Sequence, residues 1–560
     1  MQSTLNDFYN VGKLNRDVNP FLNQSSELVL NTNWYSRRLG SKKVRFGYTK
    51  FLDNPDNSPI RNLINYSLPN GSKGIFRVSD SQMYNYKFSG ESWGDSVLNT
   101  GQDTPIGTAT LAGSIPFVHF SDPTMGYYTY DGSNFKSWNQ PYTPKGSYLA
   151  AWQSRIFTDL NRLSLVESAI QFDTYGNNLN GTVSVTNGNP NVVGTNSSFT
   201  SDLSATANII ISGTEYGITA ITDNTHLTLD SNFTGATASG ITASTGYQTD
   251  PFYYNSNDPS GGGQASVNAG NDGQIVQITS SIDRINVYKE FGITRFNGAA
   301  FMDLPFFGNI LSVCSTKNNI DYILATNGIY TNDGQNVKES DFGIRTIIED
   351  TVRVHGIINP TSFSFDNYTI FFIGTLRVGQ GDGALDIPNG CLVHHELFDE
   401  WYIWSLDNKM TCFSFYVDPA TNTPYLISGD DEGNTYVWGE DYYNDNNVPI
   451  AYHLRTAYNY INSPISDKIT DRYSISSDQS AAVTLNIATD YTNEYIEEQT
   501  FKPNLIKKGF LTSLRAFKSI SFEFLGSTSD GQRPEIYGMS FSFKDMEDRY
   551  SNMKSGAQKR

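Results

Sequence analysis

The sequence predicts an all-β protein: a β-propeller with an inserted small β domain and a C-terminal antiparallel β-sandwich. Three observations carry that prediction. Aromatic residues make up 13% of the 560 residues, with 34 Tyr and 34 Phe, and there are 47 Gly. Aromatics suit pleated, half-buried surfaces, and Gly and Asn suit the turns between strands. Charged residues make up only 17%, below the ~25% usual for globular domains, which argues against long exposed helices. Finally, strand–turn–strand units recur loosely along the chain.

The chain opens with an N-terminal arm, residues 1–50, followed by the first propeller blades, 51–180. Gly74-Ile75-Phe76-Arg77-Val78 with Met83-Tyr84-Asn85-Tyr86, and Tyr127-Tyr128-Thr129-Tyr130-Asp131-Gly132, read as strands leading into hairpin turns. An inserted small β domain spans 181–248. Its strands include Thr182-Val183-Ser184-Val185, Asn208-Ile209-Ile210-Ile211 and His226-Leu227-Thr228-Leu229. Its surroundings shift sharply in charge. Residues 163–283 hold no Lys or Arg and ten acidic side chains, out of a total net charge of -18. Such a shift marks an inserted unit. Residues 255–273, rich in Gly, Ser, Asn and Asp, read as a linker or exposed loop.

The remaining blades occupy 249–450. Two clear copies begin at Ile282 and Ile320, 38 residues apart. Each has a strand, a turn, a second strand led by Gly-Ile (Gly292-Ile293, Gly328-Ile329) and an Asn/Asp-Gly turn. Repeats of ~40–50 residues with about four strands are the mark of a propeller. Residues 451–544 alternate cleanly, as in Ala482-Val483-Thr484-Leu485-Asn486-Ile487 and Ser519-Ile520-Ser521-Phe522-Glu523-Phe524, and are expected to form the sandwich. Residues 545–560 are a polar tail.

Several functional classes recede. No run of ~18 apolar residues exists, so no transmembrane helix is expected. The first residues lack the pattern of a secretory signal. Cys314, Cys391 and Cys412 are too few for a disulfide framework and fit a reducing cytosol. No phosphate-cradle, nucleophile-elbow or zinc-helix motif occurs. Gly379-Gln380-Gly381-Asp382-Gly383 precedes no helix pattern. His394-His395 would point to opposite faces of a strand and so serve poorly as joint metal ligands. With 57 acidic residues, no catalytic pair of carboxylates can be singled out. No catalytic, cofactor-binding or metal site is therefore expected. The weak metal candidates are Asp430, Asp431, Glu432 and Asn434, in an acidic loop that reads more simply as a hairpin turn.

Aromatic clusters are the stronger signal. In Trp401-Tyr402-Ile403-Trp404, Trp401 and Ile403 share one face of a strand, and Tyr402 and Trp404 the other. One face suits the blade core and the other suits the next blade or a partner. Trp401 and Trp404, with Trp34, Tyr35, Arg37 and Arg38, are the candidate interface residues.

Several segments, in order, resemble the tail hub or nozzle proteins of short-tailed (podovirus-type) bacteriophages, including packaged-DNA stabilisation proteins and tail tubular protein B. Glu27-Leu28-Val29-Leu30-Asn31-Thr32-Asn33-Trp34-Tyr35, then Arg37-Arg38-Leu39-Gly40-Ser41-Lys42-Lys43, is similar to their opening strand and basic turn. Ala150-Ala151-Trp152-Gln153-Ser154-Arg155-Ile156-Phe157, leading to Asn161-Arg162-Leu163-Ser164, resembles a mid-chain blade. Asp467-Lys468, Ile487-Ala488-Thr489-Asp490 and Arg515-Ala516-Phe517-Lys518-Ser519-Ile520 resemble their C-terminal β domain. The insert departs from the plainest members.

The resemblance implies a non-enzymatic structural protein of the virion tail, assembled in the host cytoplasm. It implies a ring of copies, usually six, beneath a tail adaptor protein and beside tail fibre or needle proteins. The ring would retain packaged DNA and pass it at ejection without sequence-specific binding. A basic channel would bind duplex phosphates and slow transit, whereas an acidic wall repels them. The alternative reading is a glycan-binding or glycan-hydrolysing propeller used in host recognition.

Overall fold

The computed structural model describes residues 4–8, 13–17, 27–38, 41–80, 82–88, 92–94, 96–99, 106–112, 115–124, 126–137, 144–160, 162–168, 179–203, 208–212, 214–245, 263–265, 272–379, 384–418, 420–460, 466–478, 483–490, 495–501, 507–510, 516–528 and 532–545. Of the expected features, most of the 255–273 linker, the glycine string after Gly379, Arg515 and the tail beyond Asp545 lie outside these residues.

The chain is an all-β protein built on a β-propeller, with two helices among the described residues. It divides into two compact units. One comprises residues 1–65, 73–104 and 271–560, the other 66–72 and 105–270.

In the first unit, four-stranded antiparallel blades follow one another. One blade is Ile275–Ser281, Arg284–Lys289, Gly292–Phe296 and Phe301–Leu304. The next is Ile310–Ser315, Asp321–Ala325, Gly328–Asn332 and Val337–Glu339. The third is Thr361–Phe365, Tyr368–Val378, Leu385–His395 and Glu400–Ser405. A fourth uses Met410–Val417, Pro424–Asp430 and Thr435–Gly439, and takes its last strand, Gly47–Leu52, from the other end of the chain. The first strand of each blade abuts the first strand of the next. A single sheet cannot bury both faces, so the cores form between blades. Tyr288, Ile293, Ile310 and Ile323 fill one such layer and are nearly inaccessible. Each fully buried side chain of this kind contributes ~1.5–3 kcal/mol.

The hairpin chemistry is local. Asp333 accepts the amides of Gln335 and Asn336 at 2.8 Å each. Gly334 between them has φ +85°, a conformation that glycine adopts without a Cβ clash. A further sheet, Ile60–Ser67, Lys73–Ser79, Gln82–Tyr86 and Ser96–Asn99, has the same four-stranded plan.

The second unit holds two four-stranded sheets and the insert. The first sheet is Ile106–Ala112, Ile115–Asp122, Gly126–Tyr130 and Phe135–Ser137. The second is Leu149–Trp152, Arg155–Leu160 and Ser164–Glu167, completed by Gly263–Ala265. The chain thus leaves this sheet after its third strand, folds the insert, and returns to supply the fourth. The insert is a seven-stranded sheet between Thr182 and Thr245 around its own core, including Val183, Phe199, Ile209, Leu227 and Phe233.

The two ends of the chain fold together. Leu28–Thr32 lies between the blade strand Glu400–Ser405, which it meets in parallel, and Ala451–Thr456, which it meets antiparallel. One nine-stranded sheet therefore runs from the third blade through Leu28–Thr32 into Ile520–Ser527, Val483–Thr489 and Tyr495–Phe501. The facing sheet joins Trp34–Tyr35 and Lys42–Val44 to Glu535–Asp545, Lys468–Ser477 and Lys507–Phe510, with Thr4–Phe8 on Glu535–Asp545. The two sheets pack face to face, with Phe522 and Phe541 ring centroids 5.3 Å apart. Within the expected arm of residues 1–50, Leu28 and Trp34 are fully buried, because their strands complete both layers of the sandwich.

Candidate assembly interface

The segment resembling the family's opening, described at 27–38 and 41–43, forms a joint between the third blade and the terminal sheets. It is held by ionised groups taken out of water. Lys42 Nζ lies 2.7 Å from Glu400 Oε2, and both side chains are almost wholly buried. Ser36 Oγ and Tyr402 OH donate to the same oxygen at 2.6 and 2.8 Å. Burial lowers the Lys42 pKa despite Glu400. For Glu400, burial pulls upward, but Lys42, Ser36 and Tyr402 outweigh it and hold the carboxyl below its ordinary value. Arg45 forms a two-pronged pair with Asp445, Nη1 to Oδ1 at 2.8 Å and Nη2 to Oδ2 at 2.5 Å. Its Nε donates to Asn33 Oδ1 at 2.8 Å, and Nη2 also reaches the Ser405 carbonyl at 2.7 Å. Asn33 has φ +64°, a left-handed conformation that Asn tolerates better than most residues. Its side chain reaches the Ala451 carbonyl at 2.6 Å. A planar guanidinium with several fixed donors suits such a junction.

The aromatic interface candidates turn inward. Trp34, Tyr35, Trp401 and Trp404 are at most 3% exposed. Trp34 packs edge-on against Tyr452 at 5.2 Å, and Tyr35 OH donates to Glu440 at 2.6 Å. Trp401 Nε1 donates to the Ser340 carbonyl at 2.9 Å, and Trp404 stacks near Trp438 at 6.4 Å. They offer a partner nothing, because both faces of the Glu400–Ser405 strand and of the short strand Trp34–Tyr35 are covered within the chain. Arg37 and Arg38 are exposed, with Arg37 3.7 Å from Glu535.

The acidic loop is a turn. Asp430 Oδ1 accepts the amides of Glu432 and Asn434 at 3.0 and 2.7 Å. Its Oδ2 accepts Asn434 Nδ2 at 3.1 Å and Tyr436 OH at 2.7 Å. Both oxygens of Asp430 are thus committed to closing the hairpin. Asp431 pairs with Lys409 at 3.1 Å. Among the described residues, no cluster of three or more His, Cys, Asp or Glu is arranged to hold a metal ion. His394 faces Tyr322 and Asp399, whereas His395 stacks on Phe398.

Two further features stand out once the units are known. The first is charge segregation within the larger unit. Residues 271–450, which supply four blades, carry 24 acidic and 9 basic side chains. Residues 1–50 and 451–560, from which the terminal sheets are drawn, carry 16 acidic and 22 basic ones, six of the basic ones outside the described residues. The second is a run of bared apolar side chains on blade loops: Phe307 (87% exposed), Ile358 (79%), Phe342 (73%) and Phe291 (53%). The signal was available, since Phe291 and Phe307 each precede a glycine in a turn, where a polar residue is usual. Among the described residues, no helix is long and apolar enough to cross a membrane.

No protein-family model matches the chain, and no curated protein matches it. Solved structures similar in part include the extracellular domain of the hybrid two-component system BT4673 from B. thetaiotaomicron, at 12% identity over 70% of this chain, with a TM-score of 0.36. The match covers 39% of that protein's length. The Pan2 WD40 domain of Neurospora crassa is similar at 7% identity, over 71% of this chain and 95% of its own, with a TM-score of 0.34. YCF48 from Cyanidioschyzon merolae is similar at 8% identity, over 70% of this chain and 98% of its own, with a TM-score of 0.34.

Proposed function

We propose that the chain is a non-enzymatic structural subunit of a short-tailed phage tail, forming the hub or nozzle ring that retains packaged DNA and passes it at ejection. The observation that carries this reading is the joint. The segment resembling the family's opening supplies Lys42, which pairs with Glu400 where a blade meets the terminal sheets, and Arg45, just beyond that segment, pairs with Asp445. The chain's buried charge is spent on rigidity rather than on an open reaction site. The net acidity supports passage of DNA. A wall of like charge repels phosphates over a Debye length of about 8 Å at physiological salt. In this reading the partners are other copies of the chain, a tail adaptor, and fibre or needle proteins.

Electron microscopy of the purified protein and of particles tests the proposal. Rings at the distal end of a tail are expected. A monomer with glycan affinity and no tail density would sink it. One observation favours that second reading: an open cleft beside Phe342 is lined by Glu339, Asp341 and Glu349. An aromatic face beside carboxylates is the usual setting for a sugar. Asp341, however, is engaged by Arg345 at 3.1 Å.

A further inference from the structure

We propose that Asn297 is a self-modifying site: the hairpin turn after the blade strand Gly292–Phe296 converts its own carboxamide into a carboxylate, with water as the only co-reactant. This goes beyond the tail reading and does not rest on it.

The chain has six Asn-Gly pairs, beginning at Asn70, Asn180, Asn187, Asn297, Asn327 and Asn389. Asn-Gly favours tight turns, and a glycine leaves the backbone nitrogen after the Asn unshielded by a side chain. In five of the six the carboxamide is tied down through its nitrogen. Asn70 Nδ2 donates to Asp131 O at 2.7 Å, and Asn180 Nδ2 to Asp202 Oδ1 at 3.2 Å. Asn187 Nδ2 donates to Thr234 O and Gly235 O at 3.2 and 2.9 Å. Asn327 Nδ2 donates to Phe307 O at 2.8 Å, and Asn389 Nδ2 to Asp407 O at 3.0 Å. Two of the following amides are also engaged, Gly71 N with Leu68 O at 2.9 Å and Gly188 N with Phe233 O at 2.8 Å. Asn297 differs. Among the described residues, neither its Nδ2 nor Gly298 N donates to any group. Residues 297–300 are all exposed, so water reaches the whole turn.

The oxygen of the same carboxamide is held in place. Asn297 Oδ1 accepts the amides of Ala299 and Ala300 at 3.0 and 2.9 Å. Stacked Phe296 and Phe301 rings, 4.6 Å between centroids, close the base of the hairpin. When Gly298 N attacks Asn297 Cγ, negative charge develops on this oxygen, and the two aimed N–H groups stabilise it. The new N–Cγ bond forms as Gly298 N gives up its proton to water. The Cγ–Nδ2 bond then breaks, and Nδ2 takes a proton from water and leaves as ammonia. Water opens the resulting imide and returns a proton to Gly298 N. Opening at Cγ leaves an aspartyl residue at position 297, and opening at the backbone carbonyl leaves an isoaspartyl one. One water is consumed, one ammonia is released, and nothing is oxidised or reduced.

The turn has room for the aspartyl product, because two other hairpins are already built on it. Asp131 and Asp333 each precede a glycine. Asp131 Oδ1 accepts the amides of Ser133 and Asn134 at 2.7 Å each, and Asp333 Oδ1 those of Gln335 and Asn336 at 2.8 Å each. The glycines Gly132, Gly298 and Gly334 have φ of +100°, +88° and +85°. In each turn the first residue's amide donates to the carbonyl three residues on, at 3.3 Å from Asp131 and Asp333 and 3.4 Å from Asn297. The amides of Asn336 and Gln335 hold the Asp333 carboxyl below its ordinary value. Such a pair of amides therefore favours negative charge where Asn297 must develop it.

The test incubates full-length protein at neutral and mildly alkaline pH, in buffer and in urea, and follows each Asn-Gly peptide by mass spectrometry. In the folded protein Asn297 should deamidate at least tenfold faster than each of the other five, a modest share of the ~10²–10³ that one aimed donor contributes inside an enzyme. The rate should rise with pH, because the attacking nitrogen must shed its proton. In urea the six rates should converge. Asn297→Asp should melt with the wild type. A folded protein in which another Asn-Gly pair reacts first, or in which Asn297 reacts no faster than the rest, overturns the inference. So does an Asn297→Asp variant that melts well below the wild type, since the turn would then reject the product.

Discussion

In the insert, Val183, Ile209, Leu227 and Phe233 close on one another, and residues 182–245 contain no Lys or Arg at all. In the joint between the third blade and the terminal sheets, Lys42, Glu400, Arg45 and Asp445 are buried as ion pairs among aromatic rings. Both regions hold β-strands together, by opposite means. Apolar burial is non-directional and tolerates repacking. A buried ion pair is stable only in one geometry, since each partner left alone is a desolvated charge. The insert closes on strands near in sequence. The joint must bring together positions about 360 to 400 apart. Directional pairs specify which distant strands meet, and that is the service the joint requires.

The largest expected effect breaks the joint. Arg45→Met leaves Asp445 buried without its partner and should cost about 3–5 kcal/mol. Urea unfolding of the whole first unit should shift accordingly, or soluble protein should be lost. Arg45→Met with Asp445→Leu removes both charges and should recover most of that loss. If the single variant lies within about 1 kcal/mol of wild type, the pair does not hold the joint and the contrast with the insert collapses.

A smaller effect in reach should come from the insert. Ile209→Ala should cost about 2–5 kcal/mol, confined to residues 181–248. Hydrogen exchange should show faster opening there and unchanged protection in the blades. The insert's ends are adjacent, with Leu179 N donating to Ala243 O at 2.9 Å, so excising 181–248 should leave soluble, folded protein. Insoluble protein after excision would show that the insert supports the rest.

The same contrast explains what the sequence made readable. Hairpins such as Asp333-Gly334 and the strands around them are legible, because a turn is decided by residues within four positions. The insert is legible for the same reason, helped by its missing Lys and Arg. The joint is not, because nothing near Lys42 or Arg45 names Glu400 or Asp445. Alternation correctly groups Trp401 with Ile403 and Tyr402 with Trp404, but it cannot say that both faces are covered. Trp34 and Trp404 therefore read as interface residues and are core. The loop at 430–434 has a composition that fits a calcium loop or a capped turn, and only the hydrogen bonds of Asp430 separate the two. Phe307 and Phe342 vanish into a sequence already rich in aromatics, and only exposure distinguishes them.

The smallest effect concerns acid. Glu523, on the sandwich strand Ile520–Ser527, is nearly buried and 2.5 Å from His453 Nε2, with Asn486 Nδ2 at 3.0 Å. Burial alone would raise its pKa. Hydrogen bonds from His453, Tyr495 and Asn486 outweigh this and hold it at about 2, against an ordinary 4.5. The folded form therefore keeps the carboxylate after the unfolded chain has taken up a proton. The stabilisation is complete above pH 4.5 and is lost as pH falls toward 2. A charged hydrogen-bonded group of this kind is worth about 1.5–3 kcal/mol. Glu523→Gln should lower the melting temperature near neutral pH and flatten its fall between pH 4.5 and 2. Parallel melting profiles for the variant and wild type across that window would mean that Glu523 is not an acid-sensitive member of the terminal sheets. The insert core, in which no buried ion pair occurs among the described residues, should lose little stability over the same range.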